Sequence, residues 1–138
     1  MITTTKYNQT TISKKVSLSG VGLHTGKDVS ITFCPADADQ GYSFKRIDLE
    51  GNPIIEADAN YVTSTERGTC LSKNDITIQT CEHVLASLVG LEIDNVLIEL
   101  NASEPPIMDG SSKFFVEALE KAGIKELSKK RKEFVVKN

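Results

Sequence analysis

Along the first half of the chain, apolar and polar positions alternate in short runs, the pattern of strands covered on one side by a core. Residues Gln9 to Leu18 are rich in Thr, Ser, Ile and Val with partial alternation, which predicts one strand. Asp28 to Cys34 alternates more clearly, with Val29, Ile31 and Phe33 on one side and Ser30 and Thr32 on the other. Between them, Gly20-Val21-Gly22-Leu23-His24-Thr25-Gly26 predicts a long hairpin connection whose glycines permit positive φ. Tyr42 to Ile47 predicts another strand, broken off by Gly51-Asn52-Pro53. Tyr61-Val62, Thr69 to Leu71 and Ile76 to Ile78 predict short strands separated by polar turns.

From residue 80 onward the period changes. Val84, Leu85, Leu88 and Val89 share one stripe at the helical repeat, which predicts a helix over 81–89 with Thr80 as N-cap and Gly90 as its stop. The opposite side carries His83, Ala86, Ser87 and Gly90. Ile93 to Leu100 predicts a strand, and its continuous apolar run from Val96 to Ile98 suits a central position. Pro105, Pro106 and Asp109-Gly110 hold the segment 101–112 out of helix and sheet. Ser111 or Ser112 then caps a second helix with Phe115, Ala118, Leu119 and Ala122 on its apolar side, ended by Gly123-Ile124. The basic run Lys129 to Lys132 reads as a solvated turn, after which Phe134-Val135-Val136 begins a further strand. Strands first, then helix, strand, helix, predict an α+β two-layer sandwich: a mostly antiparallel sheet with two helices on one face.

Composition narrows the function classes. A chain of 138 residues predicts one domain with a genuine core. We divide it into a domain over 1–127 and, over 128–138, a linker and first strand of a second domain that is missing here. The net charge of −3 gives nucleic acid no electrostatic foothold as a main partner. Three cysteines, Cys34, Cys70 and Cys81, have no paired spacing, which predicts reduced thiols in a cytoplasmic setting. Residues Met1 to Lys6 lack the apolar stretch of a signal peptide, and no apolar run approaches the roughly 18 residues of a transmembrane segment.

The densest chemistry lies at Glu82-His83, at the start of the first helix. Neutral imidazole binds zinc, and a neighbouring carboxylate can take a proton from water at the metal. Two plainer readings stand beside it. Glu in a first helical turn is favoured by the macrodipole alone, and a histidine on a helix is commonly just exposed or hydrogen-bonded. The chain holds only two histidines, His24 and His83, whereas a catalytic zinc usually takes three protein ligands. If His83 binds a metal, the other ligands come from elsewhere. Cys81 offers a Cys-x-His pair, against which stands the commoner role of a small buried cysteine. The glycine-rich 20–26 connection is not a dinucleotide fingerprint: its spacing is wrong, and a strand follows it.

Four segments in order carry a resemblance: Gly-Val-Gly-Leu-His-Thr-Gly at 20–26, Thr-Cys-Glu-His at 80–83, Ile-Asp-Asn at 93–95 and Pro-Ile-Met-Asp-Gly-Ser at 106–111. Together the segment from about Thr11 to Leu127 resembles the N-terminal domain of UDP-3-O-acyl-N-acetylglucosamine deacetylase, the zinc enzyme of lipid A biosynthesis. The resemblance implies a domain like the second domain of ribosomal protein S5. It also implies a site at the junction with a second, similar domain that supplies the other zinc ligands. By the same likeness His83 is a Zn2+ ligand, Glu82 is the catalytic general base, and His24 lies near the acylated UDP-N-acetylglucosamine substrate. Thr65 and Arg67 to Cys70 fall at the edge of the family's pocket and carry no assigned role. Some family members continue into a fused 3-hydroxyacyl-carrier-protein dehydratase. The fragment alone is then expected to be inactive. The competing class is a non-catalytic binding module for a protein or RNA partner.

Overall fold

The alternating segments pair into sheets in the computed structural model, which describes residues 2–66 and 68–134. The main sheet has five strands: β2 (Val16–Val21), β3 (Asp28–Pro35), β4 (Tyr42–Arg46), β5 (Ile54–Glu56) and β9 (Val96–Leu100), in the order β2-β3-β9-β4-β5. Every neighbour pair is antiparallel except β4 with β9. A three-stranded sheet, β6 (Val62–Thr65), β7 (Gly68–Lys73) and β8 (Ile76–Ile78), precedes helix α1 (Glu82–Gly90). Helix α2 (Lys113–Ala122) follows β9, and β1 (Ile2–Ile12) pairs with β10 (Ile124–Phe134) in a separate ribbon. The architecture is the expected α+β two-layer sandwich.

Alternation decides which face is covered. Val29, Ile31 and Phe33 of β3 and Val96, Ile98 and Leu100 of β9 are buried in one cluster with Phe44 and Ile55. Val84 and Leu88 of α1 and Phe115, Leu119 and Ala122 of α2 close it from the other layer. Phe33 meets Phe115 edge to face, with ring centroids 6.3 Å apart. Burying each Val, Leu, Ile or Phe of this cluster stabilises the fold by roughly 1.5–3 kcal/mol.

Several elements differ from the sequence reading. The single strand expected over Gln9 to Leu18 is two, because Ser13, Lys14 and Lys15 turn outward and Ser13 N–H bonds Gly123 carbonyl at 2.9 Å. β1 thereby leaves the main sheet and finds β10. The basic residues Lys129 to Lys132 lie within β10, so no turn forms there. Gln9 to Ile12 of the ribbon are buried against the domain, while Lys129 and Lys130 of β10 face water, where a strand tolerates charged side chains. Of the expected strand at 134–136, Phe134 ends β10, while Val135 and Val136 lie outside the described residues.

Helix α1 is also capped differently. Thr80 takes a left-handed φ of 54°, and Cys81 occupies the N-cap with no side-chain cap bond. Gly90 is the last helical residue, and Leu91 follows as C-cap. Ser87, expected on the outer side, is buried, its hydroxyl donating to the Val84 carbonyl at 2.6 Å. Val89, expected on the apolar stripe, is 64% exposed. For α2, the four expected core residues are all buried, and Gly123 at φ 80° ends the helix with its N–H shared between Leu119 and Glu120 carbonyls.

Asp94 and Asn95 fasten the ribbon to the sheet. Asp94 Oδ2 accepts from Thr10 N–H at 2.8 Å and from Arg131 Nε at 2.9 Å. The Asn95 amide donates to Gln9 Oε1 at 3.0 Å and accepts from Gly41 N–H at 2.9 Å. In the Ile-Asp-Asn motif, Ile93 therefore joins the core while buried Asn95 and partly exposed Asp94 form a polar clasp.

Candidate active site

The start of α1 is pinned to β7 by a reciprocal pair of bonds. Cys81 N–H donates to the Thr69 carbonyl at 3.0 Å, and Glu82 Oε2 accepts the Thr69 N–H at 3.2 Å. The carboxylate of Glu82 thus folds back over the β7 entrance. Gly68 makes room for it: its φ is +91°, and a Cβ there would stand 2.7 Å from Glu82 Oε1. Only glycine accepts both the backbone angle and the contact.

His83, the next residue, is half-buried, and no described residue makes a hydrogen bond or ion pair to its imidazole. Cys81 points elsewhere, with Sγ 3.4 Å from the Thr69 carbonyl, and burial pushes its thiol up to about 12. With its sulfur turned to the Thr69 carbonyl and no exposed surface, Cys81 takes the plainer role of a small packed side chain at the helix start. All three cysteines are free and buried.

His24 lies apart, on the exposed connection between β2 and β3. The segment after β9 reaches it. Gly22 bridges to Pro106, and Ile107 N–H donates to the Val21 carbonyl at 2.8 Å. The same segment touches the approach to α1, where Gln79 N–H donates to the Ser103 carbonyl at 2.7 Å. Residues 103–107 therefore link the His24 loop to the Glu82 entrance. Among the described residues no three His, Cys, Asp or Glu side chains form a group able to hold a metal. Glu82 and His83 are consecutive at the start of α1, and among the described residues His24 belongs to no ligand cluster.

Two features escaped the sequence reading. One is the Gly68-Thr69 backbone beneath Glu82, within the 65–70 stretch left unassigned; the Thr65 side chain and Arg67 lie outside the described residues. The other is Glu104, a fully buried carboxylate under the His24 loop. Neither leaves a mark on periodicity.

The chain is thus an α+β domain whose first helix starts with a clamped carboxylate followed by a half-buried imidazole. Comparison with known proteins shows its family. A family model described as UDP-3-O-acyl N-acetylglycosamine deacetylase matches residues 9–138. The chain belongs to that family. It is 46% identical to the "UDP-3-O-acyl-N-acetylglucosamine deacetylase" of Geotalea uraniireducens, covering 94% of this chain and 42% of the relative. It is 49% identical to the protein of the same name from Xanthomonas oryzae pv. oryzae, over 90% of this chain and 41% of the relative. It is also 48% identical to the "Bifunctional enzyme LpxC/FabZ" of Bacteroides thetaiotaomicron, over 94% of this chain and 28% of that protein. The chain thus spans less than half the length of these relatives. Among the described residues no helix is long and apolar enough to cross a membrane.

Proposed function

We propose that this chain is the N-terminal half of a zinc-dependent amidohydrolase that removes the N-acetyl group from UDP-3-O-acyl-N-acetylglucosamine in the cytoplasm. The observation that carries the reading is Glu82: its carboxylate is fixed by Thr69 N–H, with Gly68 shaped to admit it, and the next residue is His83, whose imidazole is hydrogen-bonded by no described residue.

The donor set fits a zinc ion in part. His83 offers one nitrogen ligand, and a second domain following residues 128–138 supplies the others. Bound there, zinc would polarise the amide carbonyl and lower the pKa of the attacking water. Glu82 takes the proton from that water. Its hydrogen bond from Thr69 holds one carboxylate oxygen, which leaves the other to face the reactant. His83 orients without moving a proton, since its ring is committed as a ligand. His24, on the loop across the 103–107 segment, lies near the substrate and is assigned no proton transfer. The chain alone, lacking the remaining ligands and the acid for the leaving amine, is inactive.

The test is acetate release from UDP-3-O-acyl-N-acetylglucosamine by the full-length protein, before and after metal removal. Chelator-sensitive release that zinc restores supports the reading. A metal-loaded, folded full-length protein without deacetylation would turn the domain into a binding module.

A further inference from the structure

We infer that Glu104 is a positioning residue: its buried carboxylate sets the loop that carries His24 against the reacting site. This deepens the proposed deacetylase reading and rests on it.

Glu104 has no exposed surface, although it stands in an irregular segment between β9 and α2. A buried carboxylate requires donors, since an unpaired one is strongly destabilising. Backbone supplies them. His24 N–H lies 3.0 Å from Oε1 and 3.2 Å from Oε2, and Thr25 N–H donates to Oε1 at 2.9 Å. Bonds from amides to an ionised acceptor are stronger than neutral ones. Both consecutive donors belong to His24 and its neighbour, so the carboxylate fixes where that side chain starts.

Two further observations show that the fit is built. A Cβ on Gly22 would stand 2.3 Å from Glu104 Oε1, so the loop backbone closes onto the carboxylate only with glycine there. One residue earlier, the Ser103 carbonyl accepts Gln79 N–H, three residues before Glu82. Neighbouring residues of one rigid, proline-flanked segment thus hold the His24 loop and the general-base entrance in a single frame. Pro105 and Pro106, both buried, stiffen it.

The experiment is a double-mutant cycle in the full-length protein, with E104Q, H24A and the pair. Gln keeps the shape and one acceptor but turns its amide donors toward backbone N–H groups. Each single variant is expected to lower kcat/KM by roughly 10- to 100-fold, and the double variant to be no worse than the more damaged single one. Backbone hydrogen exchange at residues 22–27 should rise in E104Q while α1 and β9 keep their protection. G22A provides an arm that leaves the charge untouched: by crowding Oε1 it should reproduce the E104Q phenotype. Effects of E104Q and H24A that multiply independently would overturn the inference, as would E104Q with normal kcat/KM and a loosened loop. Failure of the deacetylase reading shows separately, as an unmodified full-length protein that releases no acetate.

Discussion

The carboxylate of Glu82 stands over Gly68 so closely that a single added methyl at residue 68 would lie 2.7 Å from its Oε1. Two constraints meet there. The φ of +91° disfavours any residue with a side chain, and the carboxylate occupies the space that side chain needs.

G68A should therefore disturb stability and chemistry together. We expect a loss of about 1–2 kcal/mol in denaturant unfolding from the backbone angle. Turnover of the full-length protein should fall by roughly 10-fold as Glu82 is pushed off Thr69 N–H. Wild-type turnover in a folded G68A protein would show that the placement of this carboxylate is incidental.

Tyr42 supplies a pH test of the fold. Its hydroxyl donates to the Ile93 carbonyl beside the Asp94-Asn95 clasp. Burial first, then the Asp94 charge, push the phenol up from its ordinary value near 10 to about 12. The unfolded chain releases this proton before the folded one does. The stabilisation is fully present below about pH 10 and is lost as pH rises toward about 12. In paired urea titrations, the full-length protein should lose more stability than Y42F between pH 9 and 11 or so. Parallel curves for the two would contradict a phenol held up by its half-buried place in the fold.

Metal binding by the 138-residue chain alone is the third test. Buried apolar strands and two packed helices should suffice to fold it, with cooperative thermal unfolding as the sign. With a single zinc-type ligand it should retain well under one equivalent of zinc after dialysis against a mild chelator. A full, tightly held equivalent would mean that the site is complete within this chain.

Much of this was legible from residue order, and the reasons separate cleanly. β3 and α2 were read correctly because their apolar residues follow the period of the element and pack on one core. Glu82-His83 falls at the start of α1, as expected, because a helix start is a local signal. The β1–β10 ribbon was missed because its pairing joins residues more than a hundred positions apart, and Lys129 to Lys132 look like a turn when their partner strand is unknown. The N-cap moved from Thr80 to Cys81 because the reciprocal bonds with Thr69, a tertiary contact, decide where α1 begins. Val89 has an apolar side chain, yet the described residues leave it 64% exposed. Glu104 was invisible for a related reason: its partners are backbone amides eighty residues away, which no periodicity records.

The central claim is that Glu82 does chemistry and His83 holds the metal, and paired variants of the full-length protein test it most directly. E82Q keeps the shape and can still accept the Thr69 N–H, while losing its basicity. Turnover should fall by roughly 10²–10⁴ with zinc content unchanged. H83A should lose zinc and activity together, because it deletes a ligand. If Glu82 serves only the helix start, E82Q costs a few tenths of a kcal/mol in stability and nothing in rate. An E82Q enzyme that deacetylates at the wild-type rate with its zinc in place would contradict the account.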